Sequence, residues 1–230
     1  MTDGLKTPAG RIRKKTGYHH GNLRNSIIDS VARLISESRS LDFQLKEVAK
    51  LVGTSTPAIY RHFESKQDLL VETAIAGYDL QLSYRAYAVE TAGRSPISRI
   101  MAIGYAYIHF ARSHPGFFLL LKSMETEEIL SSERYQAQRD ETVQQMHNLV
   151  TECIAEGYFL DIDPGVAMAS IQATGFGVAN LYIGNQLVWV APTAVGNENL
   201  VTELFKLHIG SLLSAKGKKA LEDAKGDPFK

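Results

Sequence analysis

The 230-residue chain holds a single cysteine, Cys153, so no disulfide can form within it. A reducing compartment suits such a chain better than a secreted one. Its first twenty residues are basic, but no continuous apolar run follows them, so no secretory leader is read there and the expected location is cytoplasmic. Alternation of period two is scarce, which removes most of the signal for strands. Catalytic signatures are missing as well: there is no nucleophile elbow, no metal-ligand cluster and no P-loop. Gly175-Phe176-Gly177 falls inside a helical pattern rather than after a strand, so it is no dinucleotide fingerprint. We therefore expect no enzyme, no cofactor and no metal. One long stretch, between Asp163 and Glu198, has no charged residue at all.

What is present is an ordinary globular composition, 44% hydrophobic and 22% charged, which disfavours disordered and collagen-like classes. The formal net charge of zero conceals a division. Up to Lys66 there are twelve Lys/Arg against six Asp/Glu, and beyond it thirteen against nineteen. A basic first third joined to an acidic remainder suits a polyanion partner for the first part only, unless the segregation is chance.

Apolar residues recur at helical spacing through almost every long segment, so the expected fold is all-α. Leu23, Ile27, Val31, Leu34 and Ile35 form the stripe of a first helix. A short second helix runs over about 45–51 and stops at Gly53, a residue able to take the left-handed conformation. A third starts at the N-cap candidates Thr54 or Ser55, with Pro57 in its first turn, and ends near Phe63. Ser65 and Asp68 form a capping box for a longer fourth helix reaching toward Tyr87. Five further helices are expected at 97–113, 115–124, 129–157, 164–188 and 198–214. The organisation read from these is a basic arm (1–17), a three-helix helix-turn-helix DNA-binding domain (18–65), a helical ligand-binding and dimerisation domain (66–214) and a flexible, solvated tail (215–230).

Two short helices joined by a glycine turn, with a first helix packed behind them, fit a helix-turn-helix. The end of its second short helix must be small or polar to approach base edges, and here it reads Thr54-Ser55-Thr56-Pro57-Ala58. Ile59 and Phe63 supply the apolar anchor. Thr56 and Pro57 are placed to touch bases, the proline ring against a thymine methyl. Tyr60, His62 and Lys66 are placed to reach phosphates. Structural readings stand beside these: Tyr60 packed on its helix, His62 as a cap or core imidazole, Lys66 as a solvated first-turn residue. Arg11, Arg13, Lys14 and Lys15 are either a groove-seeking arm or a disordered basic tail.

The run Tyr18-His19-His20-Gly21-Asn22-Leu23-Arg24, then Lys46-Glu47-Val48-Ala49, then Gly53 to Phe63 with Ser65-Lys66 and Leu69-Leu70, resembles the tetracycline-repressor (TetR) family. The resemblance spans roughly Tyr18 to Val71. It implies a DNA-binding transcriptional regulator, a dimer on a palindromic double-stranded operator. By position it assigns Thr56, Pro57 and Tyr60 to the groove-facing part of the recognition helix, Tyr60, His62 and Lys66 to phosphates, and Lys46 to a DNA-touching position at the start of the second helix. Ser55 belongs to the same candidate set. The chain departs from the family at Gln44, where a Ser or Thr cap is common, and at Thr54, where valine is common.

In the second half, an uncharged helix must be covered all round. Lipid fits poorly, because Gln172, Thr174, Asn180, Asn185 and Gln186 interrupt the segment and its flanks are acidic. Burial between subunits remains, with the 164–188 and 198–214 helices of two copies forming a four-helix interface; small residues at Ala169, Ala173, Gly177 and Gly184 would permit close approach. The resembled family also uses this arrangement. Met101, Tyr105, Ile108 and His109 share a helical face that reads first as core. Tyr105, His109, Phe118 and Gln172 are the candidate residues for an apolar or aromatic small-molecule effector. The competing expectation is a DNA-binding regulator controlled by a protein partner, with no small-molecule effector.

Overall fold

The computed structural model describes residues 23–230. The candidate arm at 11–15 and the Tyr18 to Asn22 motif lie outside the described residues. The described chain is helical throughout, without a strand, apart from one antiparallel bridge between Phe159 and Leu213.

In order, the helices are α1 (Leu23–Ser38), α2 (Leu45–Val52), α3 (Thr56–Tyr60), α4 (Lys66–Ala92), α5 (Pro96–Ser113), α6 (Pro115–Ser123), α7 (Glu127–Ser131), α8 (Glu133–Ala155), α9 (Pro164–Ile183), α10 (Leu187–Val190), α11 (Leu200–Leu212) and α12 (Ala215–Glu222). They divide into two compact units. Of the described residues, one comprises 23–80 with Ser113–Asp140, and the other Gln81–Arg112 with Glu141–Lys230. The division cuts α4 and α8, so it differs from the 18–65 and 66–214 partition expected from sequence.

In the first unit, α1 buries Ile27, Ile28, Val31, Ala32 and Ile35 and packs against α2 and α6. The approach to α6 is close. A Cβ added at Gly116 would lie 1.7 Å from the backbone oxygen of Ala32, so only glycine fits. Farther along, Tyr78 meets Tyr135 edge-on at 5.4 Å between ring centroids. The Tyr135 hydroxyl donates to the Glu125 carboxylate, and burial together with that carboxylate holds its pKa far above the usual phenol value.

In the second unit, α5 is almost wholly buried, from Ile97 through Ala111. α9 packs on α11, which buries Leu200, Val201, Phe205 and Ile209. Of α9 itself only Ala167, Val178 and Ala179 are buried. By length and composition it is the one described helix apolar enough to cross a membrane.

Three expectations change. The helix expected over 129–157 is broken at Ser132, which is extended at φ −67°, ψ 116° and whose hydroxyl accepts from Tyr135 N–H, a local side-chain alternative to the helical ladder. The helix expected over 164–188 stops at Ile183, because Asn185 takes the left-handed conformation at φ 51°, which asparagine tolerates better than most residues.

The third concerns the tail at 215–230, expected to be flexible and solvated. It forms α12, capped by the Ser214 hydroxyl accepting from Gly217 N–H at 3.1 Å, and then folds back. Phe229 is 2% exposed and its ring stacks on His109 at 4.6 Å and on Tyr84 at 5.6 Å. His109 Nε2 lies 2.8 Å from Asp227 Oδ2, with both side chains buried. The Lys225 ammonium donates to Thr91 O at 2.9 Å. Burial of an aromatic ring and satisfaction of a buried imidazole outweigh the solvation of the surrounding lysines, whose ammonium groups stay at the surface.

Candidate nucleic-acid interface and effector cavity

The turn between α2 and α3 is set by local chemistry. The Glu47 carboxylate accepts from Gln44 N–H at 2.7 Å, so Gln44 opens α2 in a reciprocal cap although it is neither Ser nor Thr. Gly53, at φ 68°, ends α2 in the left-handed region, and its N–H reaches Lys50 O. Ser55 is the N-cap of α3, its hydroxyl accepting from Ala58 N–H at 3.4 Å, and Pro57 sits in the first turn, where no amide is needed. Ser65 then caps α4 by accepting from Asp68 N–H at 3.0 Å, while the Asp68 carboxylate accepts from Glu64 N–H at 2.9 Å.

This frame fixes which side chains face out. Ile59 and Phe63 are buried at 1% and 2% exposure, whereas Tyr60 between them is 53% exposed. Ser55, Pro57 and His62 are exposed, as is Lys46 on α2, while Thr56 is half-buried. Lys66 is half-buried with its ammonium 4.5 Å from the Phe43 ring centroid, a cation–π contact that holds its charge beside the motif. Arg24 forms an ion pair with Glu72 and lies over the Phe63 ring at 5.1 Å, tying α1 to the foot of α4. Exposed Arg61, between Tyr60 and His62, and Lys50 on α2 are further cations that the sequence reading passed over. Their signal was present, since both stand inside the motif. The surface thus presents a proline ring and a phenol on a short helix anchored by Ile59 and Phe63, flanked by the Ser55 hydroxyl, the His62 imidazole and cations from α2 and the start of α4. That mixture can pair with base edges and phosphates.

Two family models match the chain. One, described as bacterial regulatory proteins of the tetR family, matches residues 27–73. The other, a tetracyclin repressor-like C-terminal domain, matches residues 100–204. The chain belongs to the tetR family.

Individual likenesses are more distant. The nucleoid occlusion factor SlmA of Marinomonas sp. (strain MWYL1) is 31% identical over 98 residues, 43% of this chain and 49% of that protein. The chain spans about half the length of the curated relatives it matches. A structure of a protein with unknown function from Rhodococcus sp. RHA1 superposes with TM-score 0.68 at 23% identity, covering 87% of this chain and all of that one. AibR, solved in complex with isovaleryl coenzyme A and operator DNA, gives TM-score 0.64 at 18% identity, covering 84% of this chain and 98% of that one. At these identities the structural likenesses establish the fold.

The four candidate effector residues are not brought together around one opening. Tyr105 is 1% exposed, packed in the core with its ring 5.9 Å from that of Phe205. His109 is occupied by Asp227 and Phe229. Phe118 is fully buried in the other unit, on α6. Gln172 borders a described cavity, where its amide donates to the Tyr107 hydroxyl at 3.3 Å. That cavity, between α5, α9 and α11, holds only about 60 Å³, room for a water or two. His208 also lines it, 3.5 Å from the Ser170 hydroxyl, and burial pushes its pKa down.

A larger cavity of about 500 Å³ opens between α4, α5 and α8, bordered by Arg85, Arg99, Glu152 and aliphatic side chains that the sequence reading did not single out. On three separate helices these three charges read as solvated faces. Cys153, next in sequence to Glu152, is fully buried, and burial pushes its thiol up to about 12, so it is inert as a nucleophile.

Proposed function

We propose that this TetR-family chain is a homodimeric transcriptional repressor of the cytoplasm, which reads a palindromic operator with its two α3 helices and is released by a small-molecule effector. The observation that carries the reading is the outward presentation of Pro57, Tyr60 and His62 from a helix anchored by buried Ile59 and Phe63. Ser55, Thr56, Pro57 and Tyr60 approach base edges, and Lys46, Tyr60, His62 and Lys66 contact phosphates. Two such helices in a dimer meet successive major grooves about 34–36 Å apart.

The dimer face is the outer side of α9 and α11, together with the segment between them. Val166 is 64% exposed, Trp189 86% and Leu207 75%, and Ala169, Ala173 and Gly177 on α9 are exposed as well. A second copy covers such a surface better than lipid does, because the face also presents Gln172 and Gln186.

The effector domain is the C-terminal half. α4 starts at Lys66, just after the recognition helix, and its later residues border the 500 Å³ cavity. A ligand that prefers one position of α4 shifts the reading heads by that preference and no more. AibR, with its acyl coenzyme A and operator DNA, supports a ligand-responsive reading for this fold.

The reading is tested by enrichment of bound sequences from a random duplex pool, followed by the Tyr60→Ala variant on the enriched site. An inverted repeat is expected, with at least tenfold weaker binding by the variant at unchanged helical content. Wild-type affinity in the variant contradicts the interface.

A further inference from the structure

The segment after α12 is seated in the second unit much as a bound ligand would be. From Ala224 onward its described backbone hydrogen bonds are local: Ala224 N–H reaches Leu221 O at 3.3 Å, and Lys230 N–H reaches Asp227 O at 3.5 Å. Asp227, Pro228 and Phe229 make a turn closed on itself, in which Phe229 N–H donates to Asp227 Oδ1 at 3.0 Å and the proline ring fixes its own φ. Side chains attach this turn to the helices. The Asp227 carboxylate and the Phe229 ring point in, 3% and 2% exposed, while Lys225 and Lys230 lie at the surface.

The receiving surface is aromatic with one polar edge. Tyr84, Tyr87, Ala88 and Thr91 follow helical spacing and share one face of α4, and His109 joins them from α5. The Phe229 ring stacks on His109 at 4.6 Å and 29° and on Tyr84 at 5.6 Å and 24°, and tilts against Tyr87 at 5.4 Å. His109 Nε2 lies 2.8 Å from Asp227 Oδ2. A carboxylate only accepts, so that nitrogen carries the hydrogen and donates it. One imidazole thus reads two features together, a carboxylate at its edge and an aromatic ring against its face.

We propose that the surface formed by Tyr84, Tyr87 and His109 is a binding site for an arylalkanoate, a carboxylate a few bonds from an aromatic ring, and that Asp227 and Phe229 are its built-in occupants, displaced when such a compound binds. The proposal rests on the reading that an effector acts through the C-terminal half, and it names that effector's class and site. The two side chains are the template for the class. An aliphatic acid forgoes the stacking, and an aryl alcohol forgoes the charge-assisted hydrogen bond. Departure of the turn breaks side-chain contacts and leaves its own backbone bonds intact. The ligand replaces the tail on α4, the helix proposed above to carry the response. Competition from the tail weakens the apparent affinity by the fraction of time that the site is vacant.

The test is calorimetric titration of the full chain with phenylpropionate and phenylpropanol, paired with hydrogen exchange of the 225–230 segment. Wild type should bind the acid, and the alcohol at least tenfold more weakly. Saturating acid should speed exchange of the tail amides, whereas binding elsewhere leaves them unchanged or slower. The double variant Asp227→Ala, Phe229→Ala removes the competitor and should bind the acid at least tenfold more tightly than wild type. A void left by a deleted ring would take acid and alcohol alike. In the double variant, His109→Phe keeps a ring but loses the N–H, and it should weaken the acid at least tenfold and the alcohol much less. Circular dichroism verifies folding of the variants, and the exchange experiment needs wild type alone.

No binding of the acid to wild type at millimolar concentration, equal affinity for acid and alcohol, or tail exchange that does not quicken would each overturn the proposal, as would a folded double variant that binds the acid no more tightly. Repeating the titration on the operator-bound protein separates the two readings. Acid binding that frees the tail but leaves DNA bound supports the site and removes its effector role. Failure of the acid to bind, with the operator released by some other compound, overturns the site and leaves the effector reading standing.

Discussion

Replacing Phe229 by alanine should cost far more than its place in a lysine-rich segment suggests. The ring is 2% exposed and touches three others: His109 at 4.6 Å, Tyr84 at 5.6 Å and Tyr87 at 5.4 Å between centroids. Truncating a buried Phe costs about 3–5 kcal/mol, with the loss of aromatic pairs included. The segment after α12 is not helical and can shift into the space left, so the lower figure applies, about 3 kcal/mol. For a chain of this size each kcal/mol moves Tm by about 2–4 °C, which gives a fall of roughly 6–12 °C. Urea unfolding followed by far-ultraviolet circular dichroism, at matched protein concentration because the proposed dimerisation would contribute to stability, measures the change. Asp227→Ala should cost about 1–3 kcal/mol by leaving the His109 ring without its acceptor. Lys218→Ala, at an exposed position on α12, should change stability by less than about 0.5 kcal/mol. If Phe229→Ala proved as silent as Lys218→Ala, the docking of the tail and the packing argument behind it would both be wrong.

Two further outcomes follow from the same structure. Leu207→Glu places a charge on the most exposed leucine of α11 and should weaken self-association at least tenfold, read by sedimentation velocity, while leaving helical content unchanged; an unaltered dimer would remove α11 from the interface. Burial lowers the pKa of His208 in the folded state, so between its folded and unfolded values the unfolded chain binds more protons. Stability should therefore rise with pH through that interval and fall as pH drops through the ordinary histidine range, and His208→Gln should flatten this dependence in thermal melts at pH 5 to 8.

The helix-turn-helix was legible because its signals are local. Gly53 at a left-handed turn, Ser55 and Ser65 as caps and Pro57 in a first turn each act within three or four residues, so spacing alone revealed them. The apolar stripe of α1 was equally legible, its buried residues following helical period. Features built from distant residues were not. The His109–Asp227 pair spans 118 positions, and nothing around Asp227 distinguishes it from a solvated acid. The effector candidates Tyr105 and Phe118 were apolar residues at helical spacing, which marks core and pocket wall alike, and both are core. The cavity charges Arg85, Arg99 and Glu152 sit on three helices, where each alone looks like surface. Gln44 stands where the family commonly has a Ser or Thr cap, and the Glu47 carboxylate accepts from its N–H.

The account depends most on the outward face of α3 entering a DNA groove. Its most direct measurement is the affinity of wild type and Tyr60→Ala for the duplex enriched from random sequence, titrated at two salt concentrations. The wild type should bind an inverted repeat with affinity that falls steeply as salt rises, and Tyr60→Ala should bind at least tenfold more weakly while melting at the same temperature. Equal binding by the two proteins, or a wild type that enriches no sequence at low salt, would contradict it.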